Sequence, residues 1–266
     1  MDEQQRLYRL LNQRFVKAMA TYHLLADGDR VLVGLSGGKD SLLLTELLAK
    51  RSLIHHPRFE VEAVHVKMEN VSYASGISYL QSFCDQLHVR LHVVTTRFET
   101  IPDGENSDQA IDGGVKANYN QMRRKQKQPC FLCSWYRRKA LFNLAQQLGC
   151  NKIALGHHRD DFIHTALMNL FYQGRFDTMA PKLDMRRMPL AIIRPLCLID
   201  ETDISHMAEL NHYEKPQRLC PYEHLSQRDT LARMVDEMER VNPEVRHSIW
   251  RAIEAQLFSP IAHPAK

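Results

Sequence analysis

The run Val31-Leu32-Val33-Gly34-Leu35-Ser36-Gly37-Gly38-Lys39-Asp40-Ser41 constrains this chain more than any other stretch. An apolar run enters a small polar turn, and Leu42-Leu43-Leu44-Thr45-Glu46-Leu47-Leu48-Ala49 follows. That order predicts a buried strand, a tight glycine loop and the start of a helix. A helix N-terminus leaves backbone N–H groups without intrahelical partners, and they point at whatever lies in front of them. Gly37 and Gly38 carry no Cβ, so a ligand can approach the backbone. Ser36 and Ser41 add hydroxyls and Lys39 adds positive charge. Such a loop suits phosphate oxygens. Asp40 does not suit phosphate, but it suits a Mg²⁺ riding on those phosphates. The string departs from the Walker A pattern, in which Ser or Thr follows the lysine, and from G-x-G-x-x-G. A strand–turn–helix corner without a ligand is the plainer alternative. The position of Ser-Gly-Gly-Lys-Asp-Ser directly after a buried strand weighs against it.

The 266 residues are 44% hydrophobic and 25% charged, an ordinary globular composition. The length suffices for one large α/β domain with appendages. A net charge of +4 permits a nucleic-acid partner without demanding one. Met1-Asp2-Glu3-Gln4-Gln5-Arg6 begins polar and acidic, unlike a secretory signal. No apolar run approaches the ~20 residues that a membrane helix needs. A cytoplasmic protein with no membrane partner is the expectation. Cys84, Cys130, Cys133, Cys150, Cys197 and Cys220 are sparse for this length, so they read as reduced thiols or metal ligands rather than a disulfide framework.

Periodicity divides the rest of the chain. A helix is expected over 3–25 and strands over 59–66, 89–95, 152–155 and 192–196. Helices are expected over 76–87, 130–148, 162–171, 201–211, 229–239 and 244–258. Residues 97–128 are polar and weakly patterned, a length of connection that is usually functional or mobile. Strands alternating with helices predict an α/β fold: a doubly wound, mostly parallel sheet with N-terminal and C-terminal helical additions. The expected divisions are 1–28, an N-terminal helix; 29–200, the nucleotide domain carrying Cys130 and Cys133; and 201–266, a helical region carrying Cys220. Ligands of such sheets bind beyond the C-terminal strand ends. The loops Ser36–Ser41 and Gly156-His157-His158-Arg159-Asp160-Asp161 both follow strands and are expected to share one edge.

Cys130 and Cys133 are three apart, so both sulfurs can project to one side of a helical turn. The pair fits a redox dithiol, half a zinc site or part of an iron–sulfur site, or has no joint role. Cys220, between Leu219 and Pro221, is a third candidate thiolate. Three thiolates without an obvious fourth ligand suit a cluster with one iron left open, while His224 keeps zinc in play. Cys84, Cys150 and Cys197 lie in apolar contexts and read as buried hydrophobes. Asp160 and Asp161 suit either a helix cap or Mg²⁺ and nucleophile orientation. His157 and His158 are read as packing or nucleotide contacts. Arg123, Arg124, Lys125 and Lys127, then Arg137, Arg138 and Lys139, read either as solvated faces or as contacts to a phosphate backbone. Trp135 and Tyr136 offer a stacking surface for an unpaired base, with core packing the alternative.

Ser36-Gly-Gly-Lys-Asp-Ser41, Pro129-Cys-x-x-Cys133, Ala154-Leu-Gly-His-His-Arg-Asp-Asp161 and the late Cys220 together resemble the tRNA 2-thiocytidine synthetase family of PP-loop ATP pyrophosphatases. The similarity spans roughly residues 10 to 240, and the set in this order is more specific than any one motif. The resemblance implies an adenine nucleotide alpha hydrolase-like fold and a homodimer. It implies ATP, Mg²⁺ and a [4Fe–4S] cluster on Cys130, Cys133 and Cys220. The implied reaction is thiolation of a tRNA anticodon-loop cytidine at position 32, with sulfur from a cysteine desulfurase. The nucleotide site would comprise Ser36, Gly37, Gly38, Lys39, Asp40, Ser41 and Gly156, with Asp40 and Asp161 catalytic. Two departures stand out. After the cysteine pair, where the family tends to have a leucine, two arginines and a glycine, this chain reads Ser134-Trp135-Tyr136-Arg137-Arg138-Lys139, and no further cysteine follows Cys220. The rival expectations are a PP-loop ligase without sulfur chemistry and a non-catalytic tRNA-binding module.

Overall fold

The structure, a computed structural model, describes residues 2–69, 72–73, 76–97, 129–186, 188–214, 218–219 and 227–258, with the backbone alone at 72–73, 129–131, 218–219 and 227–228. Strand β1 (Arg30–Gly34) runs through its middle. Val31, Leu32 and Val33 are all buried, so both faces of the strand are covered. That is the condition under which a parallel strand reads as a continuous apolar run. β1 pairs in parallel with β2 (Glu60–Met68) on one side and β5 (Lys152–Ala154) on the other, placing Val33 opposite Ala63 and Ala154. β4 (Arg90–Thr96) lies in parallel beyond β2, and β7 (Ala191–Ile193) in parallel beyond β5. β6 (Lys182–Asp184) closes that edge antiparallel to β7. The order is therefore β4-β2-β1-β5-β7-β6. The chain leaves β1 toward one edge and later returns to β5 on the other side. The junction of β1 and β5 is thus the switch point at which open α/β sheets hold ligands.

Helices cover both faces. α1 (Glu3–Thr21) begins where the Asp2 carboxylate accepts from the Gln5 N–H, a side-chain cap for an otherwise orphaned donor. Its Leu11, Phe15, Ala18 and Met19 are buried at three-to-four spacing. Leu11, Phe15 and Met19 meet Leu43, Leu44 and Leu47 of α2 (Lys39–Ser52) in one core with Val31 and Val33. Ile204 and Met207 of α6 (Glu201–Leu210) enter the same core. Leu42 of α2 packs with Leu80, Phe83 and Cys84 of α3 (Ile77–Gln86). On the opposite face, α4 (Pro129–Gln147) sets Ala145 against Leu32, Val64 and Ile153. α5 (Arg159–Gln173) packs Phe162, Ile163 and Ala166 on Val235 of α7 (Gln227–Val241) and on Trp250 and Ile253 of α8 (Val245–Ile253). A π-helical turn, Glu254–Phe258, follows.

Several boundaries differ from the sequence reading. α5 begins at Arg159 rather than Phe162, because its first turn is polar and carries no apolar period. The strand expected over 192–196 ends at Ile193, and Leu196, Cys197 and Ile199 are buried in the turns that follow. β6 and a two-stranded antiparallel pair, β3 (Ser72–Tyr73) with β8 (Arg218–Leu219), were not anticipated. Strands of two or three residues are too short to show a period. Of the weakly patterned stretch 97–128, only Arg97 is among the described residues.

Candidate functional site at the carboxyl edge of the sheet

The loop after β1 is bonded to itself through its two serines. The Ser41 hydroxyl donates to the Gly38 carbonyl at 2.9 Å and accepts from the Ser36 N–H at 3.1 Å. Ser41 has one hydroxyl proton and has given it to Gly38. The 3.1 Å contact between the two hydroxyls is therefore donated by Ser36. Ser36 Oγ in turn accepts from the Gly38 N–H at 3.3 Å. Gly37 sits at φ +86°, in the region where a side chain is strained. Gly38 is the N-cap of α2 and provides no side-chain cap. The first N–H groups of α2 therefore face the loop's opening without a side-chain acceptor, an arrangement that favours an anion.

The loop after β5 closes against this one. A Cβ built on Gly156 would lie 3.1 Å from the Asp40 carbonyl carbon and 3.2 Å from its oxygen and from the Ser41 nitrogen. Only glycine lets the two loops approach this closely. The shared edge expected from the sequence is thus a direct backbone contact. Asp40 Oδ1 is shielded from solvent and lacks a well-formed hydrogen bond, with Lys39 Nζ 3.3 Å away. Lys39 Nζ also donates to Glu201 Oε1 at 2.9 Å. Burial works against the charge on Lys39, but the bond to Glu201 and the nearby Asp40 carboxylate outweigh it and raise the pKa of the ammonium.

His158, not either aspartate, is the N-cap residue of α5. Its backbone N–H donates to Asp161 Oδ2 at 3.1 Å, the reciprocal half of a capping box. The buried imidazole lies among three carboxylates. Nε2 is 3.5 Å from Asp161 Oδ2 and 4.0 Å from Asp40 Oδ1, and Nδ1 is 3.7 Å from Asp160 Oδ2. Asp160 does not cap the helix. It accepts from the Glu201 N–H at 2.8 Å and pairs with Arg246 of α8. Arg246 also bonds Glu239 at 3.0 Å and Asp236. Arg159 pairs with Asp200, which Arg14 of α1 also holds at 2.9 Å. Burial raises the pKa of the Asp200 carboxyl despite these two guanidinium groups.

A cavity of about 160 Å³ opens beside Ser36, lined also by Gly34, Leu35, His65, Leu155 and Arg137. His65 Nδ1 lies 2.9 Å from the Leu35 carbonyl oxygen. Arg137 belongs to α4, one turn beyond Cys133. Cys133 is half-buried and packs with Leu132 and Tyr136 against Met68 at the end of β2. The β3–β8 pair sets Leu219 opposite Ser72, four residues past Met68, so the strand leading to Cys220 is tied close to the same strand end. Cys220 itself and the Cys130 side chain lie outside the described residues. Among the described residues, no group of three or more His, Cys, Asp or Glu is arranged to hold a metal ion. Cys84, Cys150 and Cys197 are buried, and burial raises the pKa of all three thiols.

Sequence reasoning missed Glu201 and Arg246. Both act on the site across more than 80 residues of chain, a separation that local spacing does not reveal. It also placed Arg137 only in a basic run, whereas the structure turns it toward the loop's cavity.

A model of the PP-loop domain matches residues 4–215. A tRNA-cytidine(32) 2-sulfurtransferase of Bordetella avium is 34% identical over 252 residues, covering 94% of this chain and 74% of the relative. Its counterpart from Pseudomonas fluorescens is 30% identical over 265 residues, covering 97% and 88%. Among solved structures, the U34-tRNA thiolase NcsA from Methanococcus maripaludis with its [4Fe-4S] cluster shares the fold, with a TM-score of 0.67 at 24% identity over 95% of this chain and 79% of that one. The glycine loop at the sheet's switch point, the second loop closed over it and these matches agree: the chain belongs to the PP-loop family and, within it, to the tRNA-cytidine(32) 2-sulfurtransferases.

Proposed function

We propose that the protein adenylates the C2 oxygen of an anticodon-loop cytidine, position 32 of tRNA, and replaces that oxygen with sulfur. The observation that carries this reading is the double role of α4. The helix presents Arg137 to the cavity beside Ser36 and, one turn earlier, Cys133 to the end of β2. A nucleotide pocket and a thiol site thus share one rigid element, which an amide ligase without sulfur chemistry does not need.

ATP would lie along the glycine loop, its β and γ phosphates against Ser36, Gly37, Gly38, Ser41 and the open N-terminus of α2. Gly156 admits the chain to this approach. Lys39 offsets phosphate charge once it exchanges Glu201 for the ligand. Asp40, whose shielded oxygen lacks a firm partner, and Asp161 beside it are the carboxylates for Mg²⁺. The cytosine carbonyl oxygen attacks the α phosphorus; the new O–P bond forms as pyrophosphate leaves. The base then carries a phosphate ester where a poor, oxide-like leaving group had been. A sulfide-level nucleophile attacks C2, the C–O bond breaks and AMP departs. Both steps depend on holding the reacting atoms within ~3–3.5 Å. The target base must leave its stack, which a single-stranded loop permits cheaply.

Cys130, Cys133 and Cys220 are a soft, three-thiolate donor set, and the chemistry of that set fits a [4Fe–4S] cluster. When bound, the cluster supplies an iron coordination site for sulfur that no cysteine occupies. A cysteine desulfurase as sulfur source, a homodimeric assembly and a cytoplasmic place of action complete the proposal. No described helix is long and apolar enough to cross a membrane. Residues 29–200, carrying Cys130 and Cys133, are proposed as the nucleotide domain, with 1–28 an N-terminal helix and 201–266 a helical region that supplies Cys220. Anaerobically purified protein is expected to show visible iron–sulfur absorption and to cleave ATP to AMP and pyrophosphate only with tRNA present. Cleavage to ADP and phosphate, or bound zinc in place of iron, would overturn the proposal.

A further inference from the structure

Helix α4 is a ridge between two concavities. Arg137 and Leu141 face the cavity beside Ser36. Tyr136, Lys139, Ala140, Asn143 and Gln147 line a groove of about 340 Å³ on the other side, against Val94, Thr95 and Thr96 of β4. The first is accounted for by the nucleotide. The groove is not used by any step above.

Trp135, over whose ring the groove-lining Lys139 sits, is 46% exposed. An indole left in solvent on a rigid helix forgoes the burial that large aromatics usually gain. Tyr136 braces it edge-on, with ring centroids 4.9 Å apart at 84°. Lys139, one turn further along, holds its ammonium 5.4 Å from the indole centroid. Arg138 and Lys139 are both exposed. A braced aromatic face, cations within reach of a backbone and an adjoining groove are the elements by which proteins hold single-stranded nucleic acid.

We propose that Trp135 is a stacking platform for an unpaired nucleotide of the RNA loop, next to the base that reacts. The inference rests on the reading of tRNA as substrate and adds where the loop is gripped. Lys139 is the placeholder. It rests against the indole when RNA is absent and swings to a phosphate when a base slides onto the ring. An exposed cation–π contact is weak and a base–indole stack is stronger, so the exchange is favourable. Tyr136 packs against Met68 beside Cys133 and also braces Trp135. A nucleotide on the platform is therefore joined through Tyr136 to the packing around Cys133.

The chain has two tryptophans, and the other, Trp250, is buried against Phe162 and Phe258. Trp135 is thus the solvent-side fluorophore. The full-length protein, kept anaerobic, is titrated with an anticodon stem–loop RNA and with a fully paired duplex of equal charge. The loop RNA is expected to quench the emission and the duplex to leave it unchanged. Trp135→Ala is expected to remove the quench and weaken loop binding about tenfold, with Trp135→Phe weakening it less. Lys139→Ala is expected to reduce the salt dependence of binding by about one unit of slope. Melting curves confirm that each variant is folded. Undiminished binding by Trp135→Ala, equal quenching by the duplex, or quenching by a cysteine desulfurase and not by RNA would overturn the platform. Wild-type protein that binds no RNA would overturn the substrate reading itself.

Discussion

On the nucleotide side of α4, charged groups are tied to fixed partners across the fold: Lys39 to Glu201, Asp160 to Arg246, Arg159 to Asp200. On the side of Cys133 and Trp135, the described groups meet through Met68, Leu132 and Tyr136, and an indole stands in solvent. The difference follows from what each side has to do. Phosphate transfer is helped by a frame of fixed charges that needs little reorganisation when the reaction occurs, with Lys39 alone changing partner from Glu201 to the ligand. A site that admits a macromolecule and receives sulfur has to stay accessible. The braced side is also where α5, α6 and α8 meet, so the nucleotide site and the docking of the C-terminal helices depend on the same residues.

Four substitutions would break or sharpen that contrast. Cys133→Ala, on the open side, is expected to abolish thiolation by a factor of about 10³ or more and to remove bound iron. ATP should still raise the melting temperature, since the ligand binds the folded state alone. Iron analysis and thermal melting check both halves. Asp160→Ala, on the braced side, leaves the Glu201 N–H without its acceptor, while the half-buried Arg246 keeps Glu239 and Asp236. Losing the partner of a shielded donor costs about 1–3 kcal/mol, so chemical denaturation should show an earlier loss of the C-terminal helices. Gly156→Ala forces a methyl group against the Asp40–Ser41 backbone. A repacking cost of about 1–3 kcal/mol should appear as ATP affinity lowered by roughly one to two orders of magnitude, measured by calorimetry. Glu201→Gln is the mildest. It frees Lys39 from a half-exposed pair that is worth less than about 1 kcal/mol, so ATP should bind a few-fold more tightly. Weaker binding would show that Glu201 positions Lys39 for the ligand instead of competing with it.

The same contrast explains what could be read from the sequence. The strand, the Ser36–Ser41 loop and the α2 start were legible because they are contiguous, and because a buried parallel strand and a glycine turn have local signatures. That the Ser36–Ser41 and Gly156–Asp161 loops share one edge followed from a topological rule for loops after parallel strands, while the close approach of Gly156 to Asp40 came only from the structure. Glu201, Arg246 and the role of His158 as cap were not legible. Each depends on a partner brought close only by the folded sheet, and the polar first turn of α5 hides where that helix begins. Asp160 shows the cost of local reasoning: it reads as a cap or a metal carboxylate, and it is an anchor for α6 and α8. Trp135 was legible as an aromatic beside basic residues, but whether it lay in the core or in solvent was settled only by the facing of α4.

The most direct test of the account is mass analysis of nucleosides from tRNA incubated, without air, with the iron-loaded protein, ATP, Mg²⁺ and sulfide. The account predicts 2-thiocytidine in the anticodon loop, formed in step with AMP and pyrophosphate. Unmodified cytidine in tRNA from a reaction that has consumed its ATP would contradict it.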